Sequence, residues 1–160
     1  MFCQPSHCMR AGAKLSGVTV LVVDDDPDCA GVVATLLGIK GAHVVTASNP
    51  DEAITSLKSC PADIVICDLA LNGADGYGFL RMLREEETQR VVPLAVHVVA
   101  LTGYTEDADR ERALKAGFEL FLIKPFDPDE LIRAIEVTAA GQAASFAALR
   151  DTRWRSITGQ

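Results

Sequence analysis

The sequence predicts an α/β domain in which helices cover both faces of a five-stranded parallel sheet. Five short runs of apolar and β-branched residues alternate with helix-like stretches along the chain. The runs are apolar at successive positions, which is typical of strands buried on both faces of a parallel sheet. With 160 residues, 49% of them hydrophobic, the chain can bury one domain core. Together these features indicate a doubly wound fold with right-handed crossovers.

The first strand–helix–strand unit lies in the amino-terminal third of the chain. Residues 18–23 form an apolar strand, and Pro27 suits the first turn of the following helix. That helix should stop between Gly38 and Gly41, and residues 43–47 form the second strand. The inward face of this first helix is predicted to contain the apolar residues that recur at a spacing of three or four: Cys29, Val32, Val33, Leu36 and Leu37.

Two further helices flank the third strand. Either Ser48 or Asn49 can cap a helix over residues 50–59. The third strand is predicted at residues 63–67, and a glycine-containing loop leads to a helix over residues 77–86. The two helices are expected to bury Ala53, Ile54, Leu57, Phe79, Leu80 and Leu83.

The remaining elements complete the alternating pattern. A polar stretch leads into a fourth strand at residues 96–101, and a helix over residues 106–116 follows. The fifth strand is predicted at residues 120–123 and the fifth helix at residues 128–139. The inward face of the last helix should contain Leu131, Ile132 and Ile135.

Charge and hydropathy limit the classes of partner. The net charge is −7, and because both ends of the chain are basic, the acidic charge is concentrated in the middle. An acidic body disfavours direct binding of nucleic acid and favours a cation or a basic protein surface. No apolar run reaches the ~18 residues of a membrane span, and no signal peptide is recognisable. We therefore expect a soluble, cytoplasmic protein with no membrane partner.

The termini and the cysteines carry weaker signals. We expect a flexible leader over residues 1–16, a domain over residues 17–140 and a helical extension or tail over residues 141–160. The five cysteines, an odd number without a paired short spacing, indicate reduced thiols rather than a disulfide framework. Cys3, His7 and Cys8 lack a fourth ligand nearby, which disfavours a zinc site.

Residues that can carry chemistry follow the strands at their carboxyl ends. They are Asp24, Asp25 and Asp26 after the first strand, Asp68 after the third, Thr102 after the fourth and Lys124 after the fifth. In an open parallel sheet, ligands bind outside this edge. Carboxylates that are brought together repel one another unless a cation is present, and oxygen ligands of this kind suit Mg²⁺. A lysine and a hydroxyl beside such a metal suit a phosphoryl group, for which a carboxylate can be the nucleophile.

Four segments in order resemble the receiver domains of bacterial response regulators and of hybrid histidine kinases. They are VLVVDDDPD (20–28), DIVICDLALNGADGYGFLRMLR (63–84), VVALTGYTEDADRERALKAGF (98–118) and FLIKPFDPDEL (121–131). The resemblance covers roughly three quarters of the chain. It implies a flavodoxin-like (βα)5 fold with strand order 2-1-3-4-5.

The resemblance also implies a role for each residue of the set. Asp68 is expected to accept the phosphoryl group, and Lys124 to pair with it. Thr102 is expected to move to a phosphoryl oxygen, and Phe121 to turn inward with it as the aromatic switch. The Lys124–Pro125 peptide bond is expected to be cis. The implied Mg²⁺ ligands are Asp24, Asp25, Asp68 and the backbone carbonyl of Ala70.

The expected function is that of a phosphorylation switch rather than a conventional enzyme, with self-catalysed phosphotransfer and autodephosphorylation. The phosphodonor is expected to be a histidine kinase or a histidine phosphotransfer protein, because none of the three histidines lies on a convincing donor helix. Output is expected through the surface of the fourth helix, the fifth strand and the fifth helix, toward a downstream protein. A phosphorylation-dependent homodimer is compatible with this scheme.

The sequence departs from the family pattern at three places, and two other functions fit part of the residue set. Asn72 replaces the usual proline, Phe121 replaces the frequent tyrosine, and the segment 85–95 is long, as in receivers of hybrid kinases. A stand-alone receiver is favoured over a fragment of a hybrid kinase. A Mg²⁺-dependent aspartyl-phosphate hydrolase is disfavoured, because Ala70 stands where such enzymes need a second carboxylate. A docking module that is never phosphorylated is disfavoured by the complete residue set.

Overall fold

The computed structural model describes residues 14–71, 74–89, 96–103 and 107–141. Within these described residues, the five strands of the main sheet alternate with five helices. The strands are β1 (Thr19–Val23), β2 (His43–Ala47), β3 (Ile64–Asp68), β4 (His97–Thr102) and β5 (Leu120–Ile123). The helices are α1 (Pro27–Ile39), α2 (Pro50–Ser59), α3 (Gly76–Thr88), α4 (Asp107–Ala116) and α5 (Pro128–Ala139).

The five strands form one parallel sheet in the order β2-β1-β3-β4-β5. This order confirms the predicted 2-1-3-4-5 arrangement of a flavodoxin-like fold. Strand β1 lies between β2 and β3, because Val20 pairs with Val44 on one side and with Ile64 on the other. The connection from β1 to β2 runs toward one edge of the sheet, whereas the connections after β3 run toward the other edge. The direction in which successive strands are added to the sheet therefore changes between β1 and β3. The carboxyl ends of these two strands therefore flank the crevice of the sheet.

Alternating side chains along each strand build two separate cores. On one face, Leu21 and Val65 pack with residues of α2 and α3, such as Leu57 and Phe79. The opposite core lies under α1 and α5 and includes Leu15, from the segment before β1. Both faces of the strands are therefore apolar, which is why the sequence shows continuous apolar runs instead of alternation.

The helix starts follow from local chemistry. Asp26, Asn49, Asp75 and Asp127 cap α1, α2, α3 and α5, each accepting a hydrogen bond from a backbone N–H of the first turn. Of the two predicted candidates for α2, Asn49 is the cap and accepts from the N–H of Glu52 at 2.9 Å. None of the described helices is long and apolar enough to cross a membrane.

Several boundaries differ from prediction by a residue or two. Strands β3 and β4 each end one residue later than predicted, because Asp68 pairs with Leu101 and Thr102 pairs with Ile123 in the sheet. Helix α3 begins at Gly76 and continues to Thr88. The loop before it contains a two-residue antiparallel ladder, Ala70–Leu71 with Ala74–Asp75.

Two predictions about side chains are wrong. Val32 is 52% exposed, because α1 turns Ala30, Val33 and Leu37 toward the sheet. The expectation that all cysteines are reduced holds for Cys29 and Cys67 but not for Cys60, which is disulfide-bonded. Residues 1–13 of the leader, which include the Cys3–His7–Cys8 set, lie outside the described residues, as do Asn72 and the tail beyond residue 141.

Candidate functional site

The residues predicted from the strand ends come together at the carboxyl edge of the sheet. Asp24 directly follows β1, and Asp68 is the last residue of β3. Thr102 is the last residue of β4, and its carbonyl accepts a hydrogen bond of 2.7 Å from the backbone N–H of Lys124, just after β5. The N–H of Asp24 donates in the same way to the carbonyl of Ala47 at the end of β2. Backbone hydrogen bonds thus fix the positions from which these side chains project.

Lys124 is the electrostatic centre of the site. Its Nζ donates to Asp68 Oδ2 at 2.8 Å and to Asp24 Oδ2 at 3.0 Å. The lysine side chain is 24% exposed, whereas those of Asp24 and Asp68 are nearly buried. Burial of the ammonium group lowers the pKa of Lys124, but the hydrogen bonds and charges of Asp68 and Asp24 outweigh burial and hold that pKa above its ordinary value. The lysine is therefore a permanent cation in this pocket.

Three carboxylates around this lysine form a candidate metal site. One oxygen from each of Asp24, Asp25 and Asp68 lies within 4.8 Å of the others. Lys124 supplies one positive charge against three negative charges, so the set retains an excess of negative charge. An all-oxygen donor set with this excess fits Mg²⁺, which binds through one or two carboxylates and keeps several waters.

The Asp68 carboxylate is held in one orientation from both sides. While Oδ2 faces Lys124, Oδ1 accepts a hydrogen bond of 2.9 Å from the N–H of Ala70. The turn behind it is tight, because a Cβ added at Gly76 would lie 2.8 Å from the Asp68 carbonyl oxygen and 3.0 Å from Leu69 Cα. Asp24 is oriented similarly, since its Oδ1 accepts from the N–H of Asp26 at 2.9 Å.

Thr102 and Phe121, the two residues that are predicted to move on phosphorylation, are both buried. Thr102 is fully buried at the end of β4, joined through its carbonyl to the backbone of Lys124. Phe121, 6% exposed, lies within the sheet opposite Ala100 and packs in the core that contains Phe118. The ring is thus already inward in this structure. The Lys124–Pro125 peptide bond is cis, as the resemblance implied.

Sequence reasoning missed two contributors to the site. The sequence predicts only a glycine-containing loop before residue 77, whereas in the structure the lack of a side chain at Gly76 permits the Asp68 turn. For Cys29 the sequence predicts only a place on the inward face of a helix, but its thiol also interacts with the Asp24 carboxylate. Burial, together with that contact, raises the pKa of Cys29 to about 11. Neither contact has a local signal in the sequence, because both depend on how helices meet the ends of strands.

The chain matches known proteins over the part that forms this site. Residues 20–136 match the sequence model of the response regulator receiver domain. Over 122 residues the chain is 36% identical to the uncharacterized 14.6 kDa protein in the sodA1 3′ region of Leptolyngbya boryana, covering 76% of this chain and 90% of that protein. It is 33% identical over 117 residues to the phosphate regulon transcriptional regulatory protein PhoB of Klebsiella pneumoniae, covering 73% of this chain and 49% of PhoB. This chain therefore spans about half the length of that regulator.

Solved structures agree with the sequence match. The Francisella response regulator 1452 receiver domain is 27% identical and superposes with a TM-score of 0.68, covering 77% of this chain and 97% of that one. The BeF3-activated N-terminal receiver domain of RstA from Klebsiella pneumoniae is 25% identical, with a TM-score of 0.67 and coverage of 76% and 97%. Sequence, fold and the acidic pocket at the sheet edge agree, and the chain belongs to the family of response regulator receiver domains of two-component systems.

Proposed function

We propose that this receiver domain accepts a phosphoryl group on Asp68 from the phosphohistidine of a histidine kinase or of a histidine phosphotransfer protein. The observation that carries the proposal is the contact of Lys124 with Asp68 inside a cluster of three carboxylates. A nearly buried carboxylate with fixed oxygens, next to a permanent cation, suits nucleophilic attack on phosphorus.

The transfer itself makes and breaks one bond each. A carboxylate oxygen of Asp68 forms the new O–P bond while the N–P bond of the phosphohistidine breaks, and the electron pair of that bond returns to the imidazole. The main contributions of the protein are positioning and neutralisation of the phosphoryl charge. Lys124 contacts Asp68, and Thr102 ends the strand next to that of Asp68, so we assign both to the phosphoryl oxygens.

Asp24, Asp25 and Asp68 would hold a Mg²⁺ ion, and we assign the Ala70 carbonyl as a further ligand. When bound, the metal supplies positive charge that compensates the phosphoryl oxygens. Asp24 has a second task, because it shares Lys124 with Asp68 and so keeps the ammonium group in the pocket. Hydrolysis of the Asp68 acyl phosphate by water, which returns the free carboxylate and releases inorganic phosphate, would end the signal. The protein would therefore be a switch with self-catalysed steps rather than an enzyme acting on a separate substrate.

The output follows from the two buried switch residues. Movement of the Thr102 hydroxyl toward the phosphoryl group would change the packing around Phe121, which contacts the core beside α4. We therefore place the output surface on α4, β5 and α5, facing a downstream protein or a second copy in a phosphorylation-dependent homodimer. The acidic composition disfavours direct contact with nucleic acid. Because the phosphoryl group would come from an ATP-dependent kinase, we propose a cytoplasmic location.

The decisive experiment is intact-mass spectrometry after incubation with acetyl phosphate, with and without Mg²⁺. We expect a Mg²⁺-dependent gain of one phosphoryl group in the wild-type protein and none in Asp68→Asn. The matched control is Asp51→Asn, because Asp51 is an exposed aspartate in the first turn of α2 and should leave the adduct unchanged. If no adduct forms under any condition and beryllofluoride also fails to bind, the domain is a docking module that is not phosphorylated.

A further inference from the structure

Helix α4 is joined to α3 by a contact between a cation and an aromatic ring. The guanidinium carbon of Arg112, on α4, lies 4.1 Å from the centre of the Tyr77 ring, in the first turn of α3. The same ring is nearly perpendicular to that of Phe118, with 6.0 Å between the ring centres. Phe118 is buried two residues after the end of α4, whereas Arg112 is exposed. Tyr77 therefore contacts both α4 and the segment that follows it.

The side chains of α4 bury little apolar surface. Among those that the structure describes, residues 111–116, only Ala113 is buried, and the larger Leu114 is 40% exposed. Alanine is small, so its burial contributes little to the packing of the helix. A cation–π contact at an exposed site shifts an equilibrium by a factor of about two to five. The Tyr77–Arg112 contact is therefore strong enough to influence how α4 is held against α3.

A continuous set of contacts joins Tyr77 to Asp68. Asp68 Oδ1 accepts a hydrogen bond of 2.9 Å from the N–H of Ala70. Ala70 pairs with Asp75 in the short antiparallel ladder, and Asp75 is the cap of α3. A Cβ at Gly76, the residue before Tyr77, would lie 2.8 Å from the Asp68 carbonyl oxygen, so the start of the helix is in direct contact with the Asp68 turn. The position of the Tyr77 ring therefore depends on the conformation of that turn.

A phosphoryl group on Asp68 would change this set of contacts. Both carboxylate oxygens of Asp68 accept hydrogen bonds, Oδ1 from the Ala70 N–H and Oδ2 from Lys124 Nζ. A new O–P bond removes the charge of the carboxylate, and a neutral acceptor forms weaker hydrogen bonds than a charged one. At least one of the two hydrogen bonds that orient the turn is therefore weakened. Because Ala70 is paired with Asp75, a change in the turn extends to the start of α3.

We propose that the Tyr77–Arg112 contact holds α4 against α3 while Asp68 is unmodified, and that modification of Asp68 weakens this contact. The coupling rests on the proposed function, in which Asp68 is the residue that is modified. It is a second connection between Asp68 and α4, besides the one through Thr102 and Phe121. Coupling between two sites is reciprocal. A contact that favours the unmodified arrangement therefore opposes binding of a phosphoryl analogue at Asp68, and its removal favours that binding.

The experiment measures the affinity of the full-length protein for beryllofluoride, a phosphoryl analogue, by calorimetric titration with Mg²⁺ present. We expect Arg112→Ala to bind it about two to five times more tightly than the wild type does. Loss of a positive charge by itself would weaken the binding of an anion, so the expected gain is opposite in sign to a simple charge effect. Lys115→Ala is the matched control, because Lys115 is another exposed cation on α4, and it should give no gain.

A double-mutant cycle assigns the effect to the pair of residues. In Tyr77→Leu, which lacks the ring, the additional substitution Arg112→Ala should give no further gain in affinity. Amide hydrogen exchange without beryllofluoride tests the hold on α4 directly. Exchange at residues 111–116 should be faster in Arg112→Ala by a similar factor of about two to five, and Lys115→Ala should leave it unchanged. Unchanged exchange in the strands of the sheet shows that each variant is folded.

The outcomes separate this coupling from the proposed function. Equal exchange of the α4 amides in Arg112→Ala and the wild type overturns the inference, as does a gain in affinity that is the same with and without the Tyr77 ring. If the wild type binds beryllofluoride and Arg112→Ala binds it with the same affinity, the contact is not coupled to Asp68, although the proposed function stands. If the wild type binds no beryllofluoride, the proposed function itself is contradicted, and the coupling is contradicted with it.

Discussion

Lys124→Ala tests how strongly the acidic pocket depends on its lysine. The substitution removes two hydrogen bonds to ionised groups, at 2.8 and 3.0 Å, and leaves Asp24 and Asp68 nearly buried without that cation. Hydrogen bonds to charged groups contribute about 1.5–3 kcal/mol each. Because the lysine is 24% exposed, solvent screens part of this effect. We therefore expect a loss of about 3 kcal/mol in the free energy of unfolding.

The loss should be measured by urea unfolding in EDTA, with thermal unfolding in parallel. A loss of this size corresponds to a decrease of about 10 °C in Tm for a domain of this length. Added Mg²⁺ should stabilise the variant more than the wild type, because the freed carboxylates attract a cation more strongly. Lys115→Ala, at an exposed lysine in the last turn of α4, is the matched control and should change little. If Lys124→Ala and the wild type have equal free energies of unfolding in EDTA, the lysine does not stabilise the acidic pocket.

Two further substitutions probe contacts that the sequence did not reveal. Gly76→Ala should destabilise the domain by about 1–3 kcal/mol in urea unfolding, because the added Cβ would lie 2.8 Å from the Asp68 carbonyl oxygen and must displace backbone. Arg84→Ala should lower the free energy of unfolding by about 3 kcal/mol in the same assay, because it leaves the buried Glu87 without its ion pair at 2.8 Å. It should also speed amide hydrogen exchange at Val96, whose N–H donates to Glu87.

Each of these two substitutions has a matched control variant. In Gly103→Ala the added Cβ would have no described atom within 4 Å, so we expect the free energy of unfolding of the wild type. Arg81→Ala removes an exposed arginine from the same helix as Arg84 and should be nearly neutral. A Gly76→Ala protein as stable as the Gly103→Ala protein would show that the turn behind Asp68 relaxes freely. If Arg84→Ala lowers the free energy of unfolding no more than Arg81→Ala does, the Arg84–Glu87 ion pair does not stabilise the domain.

Most of the fold and the core of the site were predictable because they depend on local pattern. The strands of a parallel sheet are apolar on both faces, and their carboxyl ends share one edge, so Asp24, Asp68, Thr102 and Lys124 could be assigned to one edge. The same reasoning failed for Val32, which fits a helical apolar spacing but faces outward. Spacing defines which residues share a helix face, but it does not define how the helix is rotated against the sheet.

The fold class, the chemical identity of the pocket and, within a few residues, the positions of the ten main elements follow from the amino-acid sequence alone. Which side chains contact one another became known only from the three-dimensional structure. Lys124 reaches Asp24 and Asp68 across 100 and 56 positions of the chain. Likewise, the need for glycine at position 76 arises from its approach to Asp68. Periodicity and capping are properties of neighbouring residues, whereas these contacts depend on strand order and on the packing of helices against the sheet, which no local segment contains.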